Sequence, residues 1–203
     1  METPVVSAQL QFWSSLGVMS LSTYWAIVQI KQGLKIHKEE KVDSISVVWM
    51  MFFFFLCPLY LSHGVMNDLW AMVYHGSVRG LTYIPILWGI WKFRGYRKFE
   101  FALGGLLIVA LIMHWFVPWE KPYFFIFALA GPFATSLQPL AIYRQKTLGV
   151  FEPHVILAML CANLFWHLFS IYFQDWPLFV LCLFYYIPIV WLIQLWFKYR
   201  KAR

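Results

Sequence analysis

Seven runs of apolar residues alternate along this chain with short polar breaks. The runs cover 7–30, 44–63, 68–91, 99–118, 122–143, 154–173 and 176–197. The breaks read GLKIHKEEKVD, HGVMND, KFRGYRK, PWEKP, RQKTLGVFEP and QDWP. A helix needs about 20 mostly apolar residues to cross the hydrocarbon core of a bilayer. The pattern therefore predicts an all-α membrane protein with seven transmembrane helices. HGVMND and QDWP are too short for more than a turn, so each joins antiparallel neighbours.

Composition explains why lipid must be the solvent. Of the 203 residues 62% are hydrophobic and only 12% charged, with a mean hydropathy of +0.65. Soluble domains carry about 25% charged residues. Aromatic residues reach 21%, and amphipathic rings favour membrane interfaces. Cys57, Cys161 and Cys182 lie in apolar runs without paired spacing and read as small packed hydrophobes. METPVVSAQL lacks a basic stretch, so no cleavable signal peptide is expected.

The net charge of +7 first suggests a nucleic acid, but its distribution argues for topology. Lys31, Lys35, Lys38 and Lys41 flank the first break; Lys92, Arg94, Arg97 and Lys98 the third; Arg144 and Lys146 the fifth. Lys198, Arg200, Lys201 and Arg203 close the chain. With seven spans all of these fall on one side, against Lys121 alone on the other. Basic loops stay cytoplasmic, so the C-terminus is expected inside and the N-terminus external or lumenal. Nucleic acid is not an expected partner.

The third and seventh runs share a stretch. TYIPILWGIWKFRGYRK (82–98) and YYIPIVWLIQLWFKYRK (185–201) match without a gap at Tyr, Ile, Pro, Ile, Trp, Ile, Tyr, Arg and Lys. Both runs cross in the same direction, so the repeats are parallel. Three helices reverse sidedness, and one extra helix between two such units restores it. The fourth run, which has no counterpart, is that helix, and its Gly104-Gly105 pair permits close helix contact. The expected organisation is two parallel three-helix bundles joined by a linker helix (3+1+3), with units 1–95, 96–120 and 121–203. Aligning the turns MNDLW and FQDWP instead moves the register by four residues, about one helical turn.

The second unit resembles the SWEET, SemiSWEET and PQ-loop transporter superfamily. LQPLAIYRQKTLGVFEPHVIL is similar to that family's first-helix signature, and Trp166 followed by FSIYFQDWP to its Trp, short acidic turn and Pro. The resemblance places the helix-one proline at Pro139 and the pocket tryptophan at Trp166. It implies a central pocket between the bundles, alternating access, and Pro85, Pro139 and Pro188 as hinges. The family's sugar transporters carry an Asn where this chain has Cys182. The first-unit equivalent is His75 or Arg79, depending on register. The paired Asn that would bridge sugar hydroxyls is thus missing from both halves.

Arg79 is the sharpest single feature. It lies eleven residues after Asp68, about 16 Å along a helix, and an Arg at mid-bilayer costs about 2.5–3.5 kcal/mol on insertion scales. It either binds an anion or is satisfied structurally. His75, one turn earlier, shares its face. Trp166 offers a ring for stacking, with Asn163 and Ser170 near its face, while His167 points elsewhere. Gln138 provides donor and acceptor beside Pro139, and Tyr83 and Tyr186 are repeat mates. Arg79, His75, Trp166, Asn163, Cys182, Gln138, Tyr83 and Tyr186 form the candidate substrate-binding set.

Asp and Glu stay near run ends, which disfavours a carboxylate proton relay. The last run has no Lys for a Schiff base. No HExxH or GxSxG signature appears, so no enzyme, metal or cofactor is expected. The expected function is a SWEET-like transporter of a small polar solute (a sugar, an amino acid or another small metabolite), anionic solutes included. The alternatives are a lumenal peptide-retrieval-like receptor on the same scaffold, or a structural subunit. The bilayer and the solute are the expected partners; a homo-oligomer and the identity of the membrane stay open.

Overall fold

The computed structural model describes residues 5–118, 120–172 and 176–200. They form seven α-helices: α1 (Val5–Glu39), α2 (Val47–Met66), α3 (Trp70–Phe93), α4 (Lys98–His114), α5 (Glu120–Gln145), α6 (His154–Tyr172) and α7 (Trp176–Tyr199). The expected turn over 173–175 and the terminal Lys201 and Arg203 lie outside the described residues, as does the side chain of Lys121. Among the described residues four helices are long and apolar enough to cross a membrane: α2, α5, α6 and α7. Leu81, Leu106, Phe133 and Ile187 are more than 60% exposed on outward faces. The protein is a membrane-embedded helical bundle.

The boundaries differ from the predicted ones for local reasons. At α1 the helix continues to Glu39 instead of ending near residue 30. The polar stretch after Ile30 is amphipathic, since Gln32 and Ile36 are fully buried while Lys31, Leu34 and Lys38 are exposed. At 35 residues it is about 52 Å long, well beyond a hydrocarbon core. Helix α2 begins at Val47 because the Ser46 hydroxyl accepts from the Trp49 N–H and caps it.

Helix α3 packs between α1 and α2, and α7 packs between α5 and α6. The two sets meet where α1 lies on α6 and α2 on α5. Corresponding ends stand 106 residues apart: Glu39 and Gln145, Trp70 and Trp176, Phe93 and Tyr199. Glu40 and Lys146, also 106 apart, both take the left-handed conformation that stops a helix, with φ of 52° and 55°. Among the described residues helix α4 touches only α2 and α5. Its buried residues, Glu100, Gly104, Leu107 and His114, follow one stripe. Of the glycine pair, Gly104 makes the close approach, with room for a Cβ only 3.0 Å from the Met51 methyl, whereas Gly105 faces open space.

The two sets also clasp each other at the loop end. Gln32 on α1 donates through Nε2 to the Val150 carbonyl (2.9 Å), and its Oε1 accepts from the Glu152 N–H (2.6 Å). Gln138 on α5 donates through Nε2 to the Ser44 carbonyl (2.6 Å) and accepts from the Ser46 N–H (2.8 Å). Gln32 and Gln138, Ser44 and Val150, and Ser46 and Glu152 are again 106 apart. Each glutamine is wholly buried, and each satisfies one carbonyl and one N–H of an irregular loop that has no helix to do so.

Candidate functional site

Arg79 occupies the middle of α3 and is 2% exposed. Its guanidinium carbon lies 3.6 Å from the ring centre of Trp25 on α1, 5.5 Å from Tyr83 and 5.8 Å from Phe53 on α2. One N–H reaches the Tyr83 hydroxyl at 2.6 Å and another the His75 Nε2 at 3.3 Å. Among the described residues no carboxylate pairs with it. A desolvated cation–π contact contributes about 2 kcal/mol, whereas bringing an unpaired ion out of water costs several. Arg keeps its proton in proteins, so its charge is not relieved by deprotonation.

The surrounding hydrogen bonds have a fixed direction. The Ser22 hydroxyl donates to the Val18 carbonyl at 2.7 Å. Its single proton is thereby used, so Ser22 accepts from His75 Nδ1 at 2.7 Å. His75 Nε2 is then left as the acceptor for Arg79. The imidazole is a neutral relay between a buried cation and the backbone of α1.

A cavity opens beside this group. It is lined by Trp25, Trp49, Phe53, Tyr60, His75, Arg79, Thr135, Met159, Asn163, Trp166, Tyr185 and Ile189, and so draws on α1, α2, α3, α5, α6 and α7. The space open to water-sized groups is about 50 Å³, more than a single water requires. Three buried polar atoms of these lining residues have no partner: Arg79 Nε, Trp49 Nε1 and Thr135 Oγ1. Buried polar groups are nearly always bonded, so three orphans around one cavity are informative.

Of the expected set, the structure brings together Arg79, His75, Trp166 and Asn163. Trp166 meets His75 edge-on at 5.4 Å between ring centres, and Asn163 donates to the Cys182 carbonyl at 3.0 Å. Four residues fall outside the lining. Cys182 is buried in a separate cluster with Val18, Phe169 and Leu178. Gln138 is committed to the loop at 44–46. Tyr83 stands behind Arg79 as its hydrogen-bond acceptor. Tyr186 faces His167, 5.9 Å away, and its neighbour Tyr185 lines the cavity in its stead. Pro85, Pro139 and Pro188 all sit within helices; the Pro85 carbonyl lies 3.0 Å from His37 Nε2, and Pro139 adjoins the loop-gripping Gln138.

Register explains the misplacement. The two sets superpose in contacts at an offset of 106, while Tyr-Ile-Pro-Ile matches at 103 and the turns at 107. Asn163 reaches the Cys182 carbonyl as the Cys57 carbonyl approaches Gly76, where a Cβ would lie 2.5 Å from it. The spatial counterpart of Cys182 is therefore Gly76, neither His75 nor Arg79. That of Arg79 is Tyr185. Its hydroxyl abuts Gly131, where a Cβ would come within 1.9 Å, just as the guanidinium abuts Trp25.

Trp49, Tyr60 and Thr135 line the cavity without any periodic pattern in the sequence to single them out. Helix α2 contains FFFF and carries aromatics on every face, so no periodicity separates a cavity wall from a packed ring. Thr135 did leave a signal, as a hydroxyl one turn before Gln138 in an apolar run. Comparison with protein-family models, curated proteins and solved structures finds no match to this chain.

Proposed function

We propose that this protein is a SWEET-like membrane transporter that moves a small polar solute by alternating access. In this reading α1–α3 and α5–α7 are parallel three-helix units and α4 is the linker between them. The repeated helix order and the common offset of 106 support that division. The positive-inside distribution puts the clasped loops on the cytoplasmic side, where Gln32 and Gln138 hold a closed gate and the in-helix prolines act as hinges. Solute sites of such proteins lie near mid-bilayer at the repeat interface.

One observation carries the proposal. The cavity around Arg79 is built by both sets of helices, midway along α3, and three of its lining residues carry an unpartnered buried polar atom. A purely structural junction would have been packed or satisfied. The test is uptake into proteoliposomes of radiolabelled sugars, amino acids and small carboxylates. The wild type accelerates entry of at least one solute, and Thr135→Trp, which fills the cavity, abolishes it. High-affinity binding of a peptide carboxylate with no solute flux would replace transport by the receptor reading.

A further inference from the structure

We infer that the ligand of the central cavity is a small monocarboxylate held by Arg79, Trp49 and Thr135. This deepens the preceding proposal and rests on its identification of the cavity as the solute site.

The charge comes first. Arg79 brings one positive charge that burial does not remove, and it has no anionic partner among the described residues. His75 adds none, because its Nδ1–H is committed to Ser22 and its Nε2 accepts from Arg79. The site is therefore short of a single negative charge.

The donors come second. Arg79 uses only two of its five N–H groups. Arg79 Nε and Trp49 Nε1 donate and never accept, and Thr135 Oγ1 does either. All three residues are at least 98% buried and line the same cavity. Ligand oxygens would satisfy them, and a carboxylate supplies two with about four lone-pair sites. A guanidinium is also the side chain whose fork matches that geometry.

Size comes third. The space open to water-sized groups, about 50 Å³, leaves room for at least a few heavy atoms, and acetate has four. Aromatic walls from Trp25, Phe53, Tyr60 and Trp166 line it. They also offer no second cation for a dicarboxylate.

The experiment is calorimetric titration of the purified full-length protein in detergent, at constant ionic strength, with sodium acetate, acetamide, sodium malonate and sodium chloride. Acetate is expected to saturate one site, with acetamide, its neutral counterpart, at least 100-fold weaker. Arg79→Gln removes acetate binding. Trp49→Phe and Thr135→Val, which conserve shape, each weaken it about tenfold with the melting transition retained. Acetamide binding as well as acetate overturns the inference, as does acetate binding that all three variants leave unchanged. Malonate or chloride binding tighter than acetate overturns it too. The two proposals separate cleanly: acetate binding without flux of any solute removes transport and leaves the carboxylate site, while flux of a neutral solute without acetate binding does the reverse.

Discussion

The two sets of helices agree at one end and disagree in the middle. At the loop end the pairs Gln32/Gln138, Ser44/Val150 and Ser46/Glu152 make the same four hydrogen bonds in reciprocal fashion. Around the cavity the same offset pairs Arg79 with Tyr185, Trp25 with Gly131, and Tyr60 with Trp166. A loop backbone asks only for a donor and an acceptor at the right spacing, and glutamine provides that wherever it is placed. A cavity is defined by charge and shape, and there the halves have parted. The symmetric part holds the scaffold, and the asymmetric part gives the site a polarity.

The comparison breaks most easily at the clasps. Gln32→Leu strands the Val150 carbonyl and the Glu152 N–H, and Gln138→Leu strands the Ser44 carbonyl and the Ser46 N–H. An unsatisfied buried group costs about 1–3 kcal/mol, so each variant should lose about 3 kcal/mol in unfolding measurements. The two losses should agree within about 1 kcal/mol by the same rule; a clear inequality means that the clasps are alike in geometry only. Next is Gly131→Ala, whose added methyl meets the Tyr185 hydroxyl. Overpacking of this kind costs about 1–3 kcal/mol, and Tyr185→Phe in the same chain should recover part of it, measured as a double-mutant cycle.

Arg79→Met has the opposite sign. Replacing buried ionic groups with apolar side chains of similar volume is often stabilising by about 1–4 kcal/mol. The gain should fall near the lower end, since the Trp25 contact and two hydrogen bonds are lost. A raised melting temperature together with loss of acetate binding marks a group retained for function; a fall in melting temperature marks a structural Arg.

The smallest effect is that of acid on one clasp. Burial alone would raise the Glu152 carboxyl, but hydrogen bonds from the His154 ring and backbone, with the charges of His154 and Lys35, outweigh it and hold it below its ordinary value. Its contribution is thus present above the usual carboxylate range and is lost as pH falls through the lowered value. Its counterpart, Ser46, has nothing to titrate. Amide exchange corrected for its intrinsic rate should show protection of the Glu152 N–H declining in acid more than that of the Ser46 N–H.

Much of the architecture was legible because lipid imposes a simple rule. Seven apolar runs became seven helices, and charged breaks became their ends. Arg79 stood out since a guanidinium in such a run has few explanations. Register was hidden for a physical reason. Tyr-Ile-Pro-Ile expresses the local chemistry of a proline-bearing helix, and it repeats at 103; the spatial match at 106 is set by loops and by contacts from other helices. The same limit hid Trp49 and Thr135, whose importance lies in what they lack, and a missing partner leaves no mark on sequence.

The contact of Tyr185 with Gly131, the position matching Arg79 over Trp25, bears on why the two sets of helices differ at the cavity. A pair of identical first halves would conserve both glutamine clasps, because each glutamine reaches across to the other half. It would also set two guanidiniums around one cavity of about 50 Å³, where like charges repel strongly for want of water. A pair of identical first halves would therefore have no place for this arginine. The cation is admissible only because the two sets of helices differ, so that one carries it where the other carries Tyr185.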